Sequence, residues 1–166
     1  MVEGSSFAPL MAPLGEQLKR RGWKVAVAES CTGGLLGATL TDLEGAADVF
    51  AGGIITYDYD AKERLLGIPR ALLEARGAVS REVAALMAEA VRDRLEADLG
   101  LSVTGVAGPT PEEGKPVGLI YVAAACCGRT EVRELRLGEG RASNRIGAVE
   151  HAIELSLVLL DGAEPE

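Results

Sequence analysis

The chain has 166 residues, 48% of them apolar but only 4% aromatic, and its net charge is −8. That is enough chain for one domain with a sizeable core of Ala, Val, Leu and Ile, and the basic residues are too few and too scattered for a nucleic-acid-binding face. No apolar run is long enough to span a membrane, and the N-terminus lacks the basic segment and apolar run of a signal peptide, so a cytoplasmic location is expected, with no membrane partner.

Residues 1–8 and 161–166 carry Gly, Ser, Glu and Pro and are expected to be loose ends around a single domain over 9–161. Leu10, Leu14 and Leu18 recur every four residues and predict a first helix, with Pro13 near its start and Gly22 beyond its end. The apolar run over 24–28 predicts a buried strand that leads directly into Ser30, Cys31, Thr32, Gly33 and Gly34, and residues 35–40 predict the helix that follows. Residues 51–57 form a second strand, and 61–66 and 69–75 form short helices divided by Pro69. Ser80 caps a long helix whose Val83, Met87, Ala90, Val91 and Leu95 share a face. Residues 101–104 are a third strand ending in a Gly-rich turn, and 110–116 are a polar loop. Residues 117–125 and 130–137 read as a hairpin turning across Gly128 and Arg129. Ile146, Val149, Ile153, Leu157 and Leu160 mark the core face of a last helix.

Strands alternating with helices predict an α/β protein, and helical connections make the early strands parallel while the hairpin makes the sheet mixed. Ligands collect at the carboxyl ends of parallel strands. Three such ends carry polar or Gly-rich loops, over 30–34, 56–62 and 104–109, and they meet in one cleft if their strands are neighbours.

Ser30 stands where a strand turns into a helix, a good place for a nucleophile. Free N–H groups of the helix's first turn can hold an oxyanion or a phosphate there. An ordinary Gly-rich turn with a Ser or Thr cap has the same local pattern. A serine nucleophile needs a base. The only histidine, His151, lies in the last helix, where packing or a surface role is the commoner use. Lys62 follows the second strand and is the better candidate, provided burial lowers its pKa from the ordinary ~10.4. A solvated surface charge is the ordinary alternative for a lysine. Tyr57 could donate to Lys62 or to the substrate, or simply end its strand. Cys31 is the rival nucleophile, although adjacent turn residues seldom face the same way. Cys126 and Cys127 read as small core residues, and three cysteines, two of them adjacent, make no disulfide framework. No cluster has metal-ligand spacing, so no metal is expected. Arg141 and Arg145, four apart, could bind a phosphate or pair with Glu139 or Glu150. Gly33-Gly34-x-x-Gly37 fits neither the dinucleotide fingerprint nor the P-loop.

Five segments, Ala28-Glu-Ser-Cys-Thr-Gly-Gly34, Gly53-x-x-x-Tyr57-x-x-x-Ala-Lys62, Gly77-Ala-Val-Ser80, Thr104-Gly-Val-Ala-Gly-Pro109 and Lys115-Pro-Val-Gly118, occur in this order. Together they closely resemble the C-terminal domain of the competence/damage-inducible CinA proteins, a family that includes stand-alone nicotinamide mononucleotide deamidases. The resemblance spans roughly residues 10–160. It implies a three-layer α/β/α sandwich with a mixed, mostly parallel sheet. The implied activity is hydrolysis of nicotinamide mononucleotide to nicotinate mononucleotide and ammonia without a cofactor, in a homodimer. Carried over by motif, Ser30 is the nucleophile, Lys62 its base and Tyr57 a supporting hydroxyl. Thr32, Gly33 and Gly34 form the oxyanion and substrate loop, Glu29 and Cys31 beside them count among the substrate-binding residues, Thr104 and Gly105 line the cleft, and Arg141 and Arg145 stand on the phosphate side. The family shows Gly-Asp-Arg where this chain has Glu139-Gly-Arg141. Longer members carry an N-terminal domain that resembles molybdopterin-binding and pyrophosphatase proteins and has no counterpart in these residues. The competing expectation is a catalytically silent nucleotide-binding or partner-docking module.

Overall fold

The computed structural model describes residues 7–163. Its elements in chain order are α1 (Ala8–Arg21), β1 (Val25–Glu29), α2 (Leu35–Leu40), α3 (Ala46–Val49), β2 (Phe50–Ile55), α4 (Tyr59–Leu66), α5 (Arg70–Arg76), α6 (Arg81–Arg94), β3 (Leu99–Gly105), β4 (Leu119–Cys126), β5 (Arg129–Arg136) and α7 (Arg141–Asp161). One sheet runs in the order β2-β1-β3-β4-β5. β1 pairs in parallel with both β2 and β3, whereas β3–β4 and β4–β5 are antiparallel. Four strands therefore share one direction and β4 opposes them, so the sheet is mixed, with its pairings divided evenly between the two kinds.

β1 shows why helices cover both faces. All five of its residues are buried, as a central parallel strand requires. Val25 and Val27 join a core with Leu14 and Leu18 of α1 and Val149 and Ile153 of α7. Ala26 and Ala28 join a second core with Leu73 of α5 and Met87 and Val91 of α6. Small residues on this second face bring α6 close to the sheet. Gly100 of β3 marks the limit, since a Cβ there would lie 2.0 Å from the Ala88 carbonyl oxygen.

Several sequence expectations shift in detail. α1 begins at Ala8, with a proline at its start, so Pro13 lies inside the helix. Gly22 closes α1 in the left-handed conformation at φ 66°, giving its N–H to Leu18 and Lys19. Phe7 is buried against the core, so the packed chain begins before residue 9, while the rest of the expected loose N-terminus lies outside the described residues. Ala163 is buried too. The short α3 has no periodicity to announce it. The hairpin turns at Cys127 and Gly128, one residue earlier than expected, with φ of 51° and 68°. Two successive positive φ values are the signature of a tight primed hairpin turn, and a cysteine does not advertise one. Cys126 is buried as expected, but Cys127 is exposed at this turn. On α7, Ile146 is exposed and Leu157 only half-buried, and Ala148, Ala152, Leu155 and Leu159 complete the inward stripe.

Candidate active site

Parallel pairing of β1 with β2 and β3 brings their carboxyl ends together, so the three loops do meet. They border a cleft of about 390 Å³ lined by Ser30, Cys31, Tyr57, Thr104, Glu113 and Arg141 among others. Its volume falls in the range of small-molecule pockets, roughly 300–1,000 Å³. Arg141 lies on one side, and Asp58, Glu112 and Glu113 contribute carboxylates elsewhere around the rim.

Ser30 leaves β1 with its N–H donated to the Val103 carbonyl of β3, 3.0 Å away. Lys62 sits on α4, a helix started by Asp58, whose Oδ1 accepts the Ala61 N–H at 2.7 Å. That start turns Lys62 inward, and its side chain has no solvent exposure. Its Nζ lies 3.1 Å from Ser30 Oγ and donates to the Thr56 carbonyl at 2.7 Å. Among the described residues, no carboxylate pairs with it. Burial disfavours the ammonium and brings the pKa down to about 8. About a tenth of the protein then carries a neutral Lys62 at pH 7, aimed at a serine hydroxyl. The neighbouring Cys31 thiol is buried as well, and burial pushes it up to about 11, so it stays protonated and is a poor nucleophile.

Tyr57 plays a different part from a direct partner of Lys62. It is 62% exposed at the rim, and its hydroxyl accepts from Arg141 Nη2 at 3.1 Å. Arg141 also donates to the Gly108 carbonyl, which fixes it over the cleft. Arg145 does not share that outlook. Its guanidinium turns to the nucleophile loop and donates to the carbonyls of Cys31 and Thr32, at 3.1 and 2.8 Å. Neither arginine pairs with Glu139 or Glu150 among the described residues.

Glu29 is a further correction, because its carboxylate holds the backbone rather than facing the cleft. Buried at the end of β1, it accepts the N–H groups of Gly34, Leu36 and Gly37 at 2.8–3.1 Å. This uses donors of α2's first turn that the sequence left free for an oxyanion. Gly33 N–H goes to the Ser30 carbonyl and Leu35 N–H to that of Thr32. Among the described residues, the N–H groups of Cys31 and Thr32 donate to no backbone carbonyl, and of the two residues only Cys31 lines the cleft, Thr32 being fully buried. Substituting Glu29→Ala strands three N–H groups at a buried helix start. Each unsatisfied group costs about 1–3 kcal/mol, so a loss of about 3 kcal/mol or more in a urea-unfolding measurement is expected. A loss below about 1 kcal/mol would show that water replaces the carboxylate.

Thr104 and Gly105 line the cleft, each for a structural reason as well. The Thr104 hydroxyl donates to the Ala78 carbonyl, and a Cβ on Gly105 would press within 2.4 Å of Ile120. The role of Glu113 was not evident from the sequence. Its carboxylate accepts from the Tyr59 hydroxyl and from the N–H groups of Ala78 and Val79, strapping the 110–116 loop across the cleft. Lys115 donates to the carbonyls of Arg76 and Val79 beside it. Gly77 leaves them room, since a Cβ there would lie 2.3 Å from Glu113 Oε2. The Gly77 and Lys115 motifs were the available signal, and they meet here. His151 lies apart from the cleft, 2.9 Å from Glu154 and beside Arg133. Among the described residues, no group of three or more Cys, His and carboxylate residues is placed to hold a metal, and no helix is long and apolar enough to cross a membrane.

An α/β domain with a serine and a buried lysine side by side at the carboxyl ends of parallel strands can support acyl chemistry. The CinA C-terminal domain model matches residues 8–160, and the chain belongs to that family. It is 48% identical over 159 residues to a CinA-like protein of Desulfovibrio desulfuricans, covering 93% of this chain and 37% of that protein. The chain thus spans about a third of the length of the curated relatives it matches. Its fold is similar to the competence/damage inducible protein CihA of Agrobacterium tumefaciens, with a TM-score of 0.87, 37% identity and coverage of 92% of this chain and 94% of that one. It is likewise similar to the competence damage-inducible protein A of Klebsiella pneumoniae, with a TM-score of 0.91, 29% identity and coverage of 94% and 98%.

Proposed function

We propose that the protein is a nicotinamide-nucleotide amidase that hydrolyses nicotinamide mononucleotide to nicotinate mononucleotide and ammonia through a Ser30 acyl-enzyme. The observation that carries this reading is the 3.1 Å contact between Ser30 Oγ and a fully buried Lys62 whose pKa is lowered to about 8. A binding module has no use for a desolvated amine beside a serine, since Lys62 does not line the cleft and its burial is destabilising. The cleft's charges support the substrate. A pyridinium cation suits the Asp58, Glu112 and Glu113 carboxylates, and a 5′-phosphate suits Arg141.

Neutral Lys62 takes the Ser30 proton as Oγ attacks the carboxamide carbon. The Thr56 carbonyl keeps the amine pointed at the serine. The N–H of Cys31, the residue after the nucleophile at the cleft wall, stabilises the tetrahedral oxyanion, at roughly 3–4 kcal/mol. The C–N bond breaks, and Lys62 returns the proton to the departing amide nitrogen, which leaves as ammonia. Water, deprotonated by the same amine, then attacks the ester, and the carboxylate product departs as Ser30 recovers its proton. The residues need no metal for any of these steps. A homodimer is part of the same proposal. β2 is an edge strand without a charged residue, and Ile55 is half-exposed on it, the kind of edge a second copy covers.

The test is ammonia release from nicotinamide mononucleotide, nicotinamide riboside and nicotinamide by the purified protein in chelator. The expected order is the mononucleotide first, with kcat/KM for the riboside lower by about 10²-fold or more, as loss of a charge-assisted contact of about 3 kcal/mol implies. Equal turnover of all three would place the phosphate outside recognition. Release from none of them, by a folded protein that still binds the nucleotide, would favour the silent binding module.

A further inference from the structure

Arg145 is half-buried on α7 and does not line the cleft, yet it spends two N–H groups on the nucleophile loop. Its acceptors are successive carbonyls, those of Cys31 and Thr32. A trans peptide sets its C=O and N–H on opposite sides of the chain. When the Cys31 carbonyl is drawn toward Arg145, the N–H of Thr32 in the same peptide points away from Arg145. Ser30 and Cys31 line the cleft and Arg145 does not, so the side of the loop away from Arg145 is the cleft side. Gly33, at φ 58°, turns the chain back immediately afterwards and gives its N–H to the Ser30 carbonyl, closing the turn that presents Ser30 at the cleft.

We propose that Arg145 is a positioning residue for the nucleophile loop. It clamps the successive Cys31 and Thr32 carbonyls from the side away from the cleft, so that the turn carrying Ser30 is held in place for attack, and it makes no contact with the substrate phosphate. This rests on the amidase reading above. It separates the two arginines that the sequence grouped together, with Arg141 facing the ligand and Arg145 facing the backbone.

The test compares Arg145→Met and Arg145→Lys with the wild type by steady-state kinetics on nicotinamide mononucleotide and by amide hydrogen exchange over residues 30–35. Arg145→Met is expected to lower kcat about 10²-fold with KM changed less than threefold, because a misplaced nucleophile slows the chemical step and not ground-state binding. Exchange over 30–35 should accelerate at least tenfold. Lysine, with one ammonium for two carbonyls, should recover part of kcat, and it keeps the test decisive if the methionine variant does not fold. A tenfold or greater rise in KM with kcat retained would make Arg145 a substrate-binding residue and overturn the proposal. If the wild type releases no ammonia, the amidase reading fails. The clamp is then judged by exchange alone, with unchanged exchange in both variants overturning it and faster exchange supporting it.

Discussion

Lys62→Met should abolish ammonia release and at the same time make the protein harder to melt. Removing a general base that also protonates the leaving group costs about 10³-fold or more in kcat, on the amidase reading. The gain in stability follows from the lowered pKa. Lys62 titrates near 8 in the folded protein, against an ordinary value of 10.5. At pH 7 the folded protein therefore holds a charge it disfavours, at a cost of about 3 kcal/mol. Methionine fills the same space without that cost but leaves the Thr56 carbonyl unpaired, for a net gain of about 1–2 kcal/mol, or several degrees in Tm. The sign is checked by pH. Between about 8 and 10.5 the unfolded chain binds the proton and the folded one does not, so wild-type stability rises with pH through that window. The advantage of Lys62→Met should shrink across the window, and wild-type kcat/KM should climb on its acid limb with an apparent pKa near 8. Melting curves at pH 7 and pH 10, beside a pH–rate profile, read both effects. A methionine variant that melts lower than wild type at pH 7 would mean that the buried amine stabilises the fold.

The second large effect concerns which of two adjacent residues is the nucleophile. Ser30 Oγ is within reach of the amine, and Cys31 has no such partner and a thiol held protonated to about pH 11. On the same amidase reading, Ser30→Ala removes the attacking atom, and a loss of about 10³-fold or more is expected, with the melting temperature within a few degrees because a small, partnered hydroxyl is lost. Cys31→Ala deletes one buried sulfur at the cleft wall and should keep activity within about tenfold of wild type, at a stability cost of about 1 kcal/mol.

The sequence carried the frame of this site better than its inner contacts. The 24–28 run and the glycines after Ser30 were enough to place a serine at a strand end, because a buried parallel strand and a tight turn leave strong local signals. The meeting of Ser30 with Lys62 was legible through topology, since helical connections make the first three strands parallel and put their carboxyl ends side by side. The capture of three N–H groups by Glu29 was not legible, although a carboxylate closing an otherwise apolar strand just before a helix was a usable clue. The division between Arg141 and Arg145 was also hidden. Their spacing puts them on one face of α7, but only the packing of that helix against the nucleophile loop decides which one holds that loop. Glu113 lay in a polar loop without periodicity, and its strap depends on the empty space at Gly77. The hairpin shifted by one residue because Cys127 adopts a positive φ that glycine or asparagine would have advertised.

The most direct measurement sets wild type and Ser30→Ala side by side, each with a verified melting curve, and follows ammonia released from nicotinamide mononucleotide in chelator at pH 8. Release by the wild type and its loss in Ser30→Ala is the expected result. Release by both proteins at similar rates would contradict a Ser30 nucleophile, and the chemistry would then have to be sought elsewhere in the cleft.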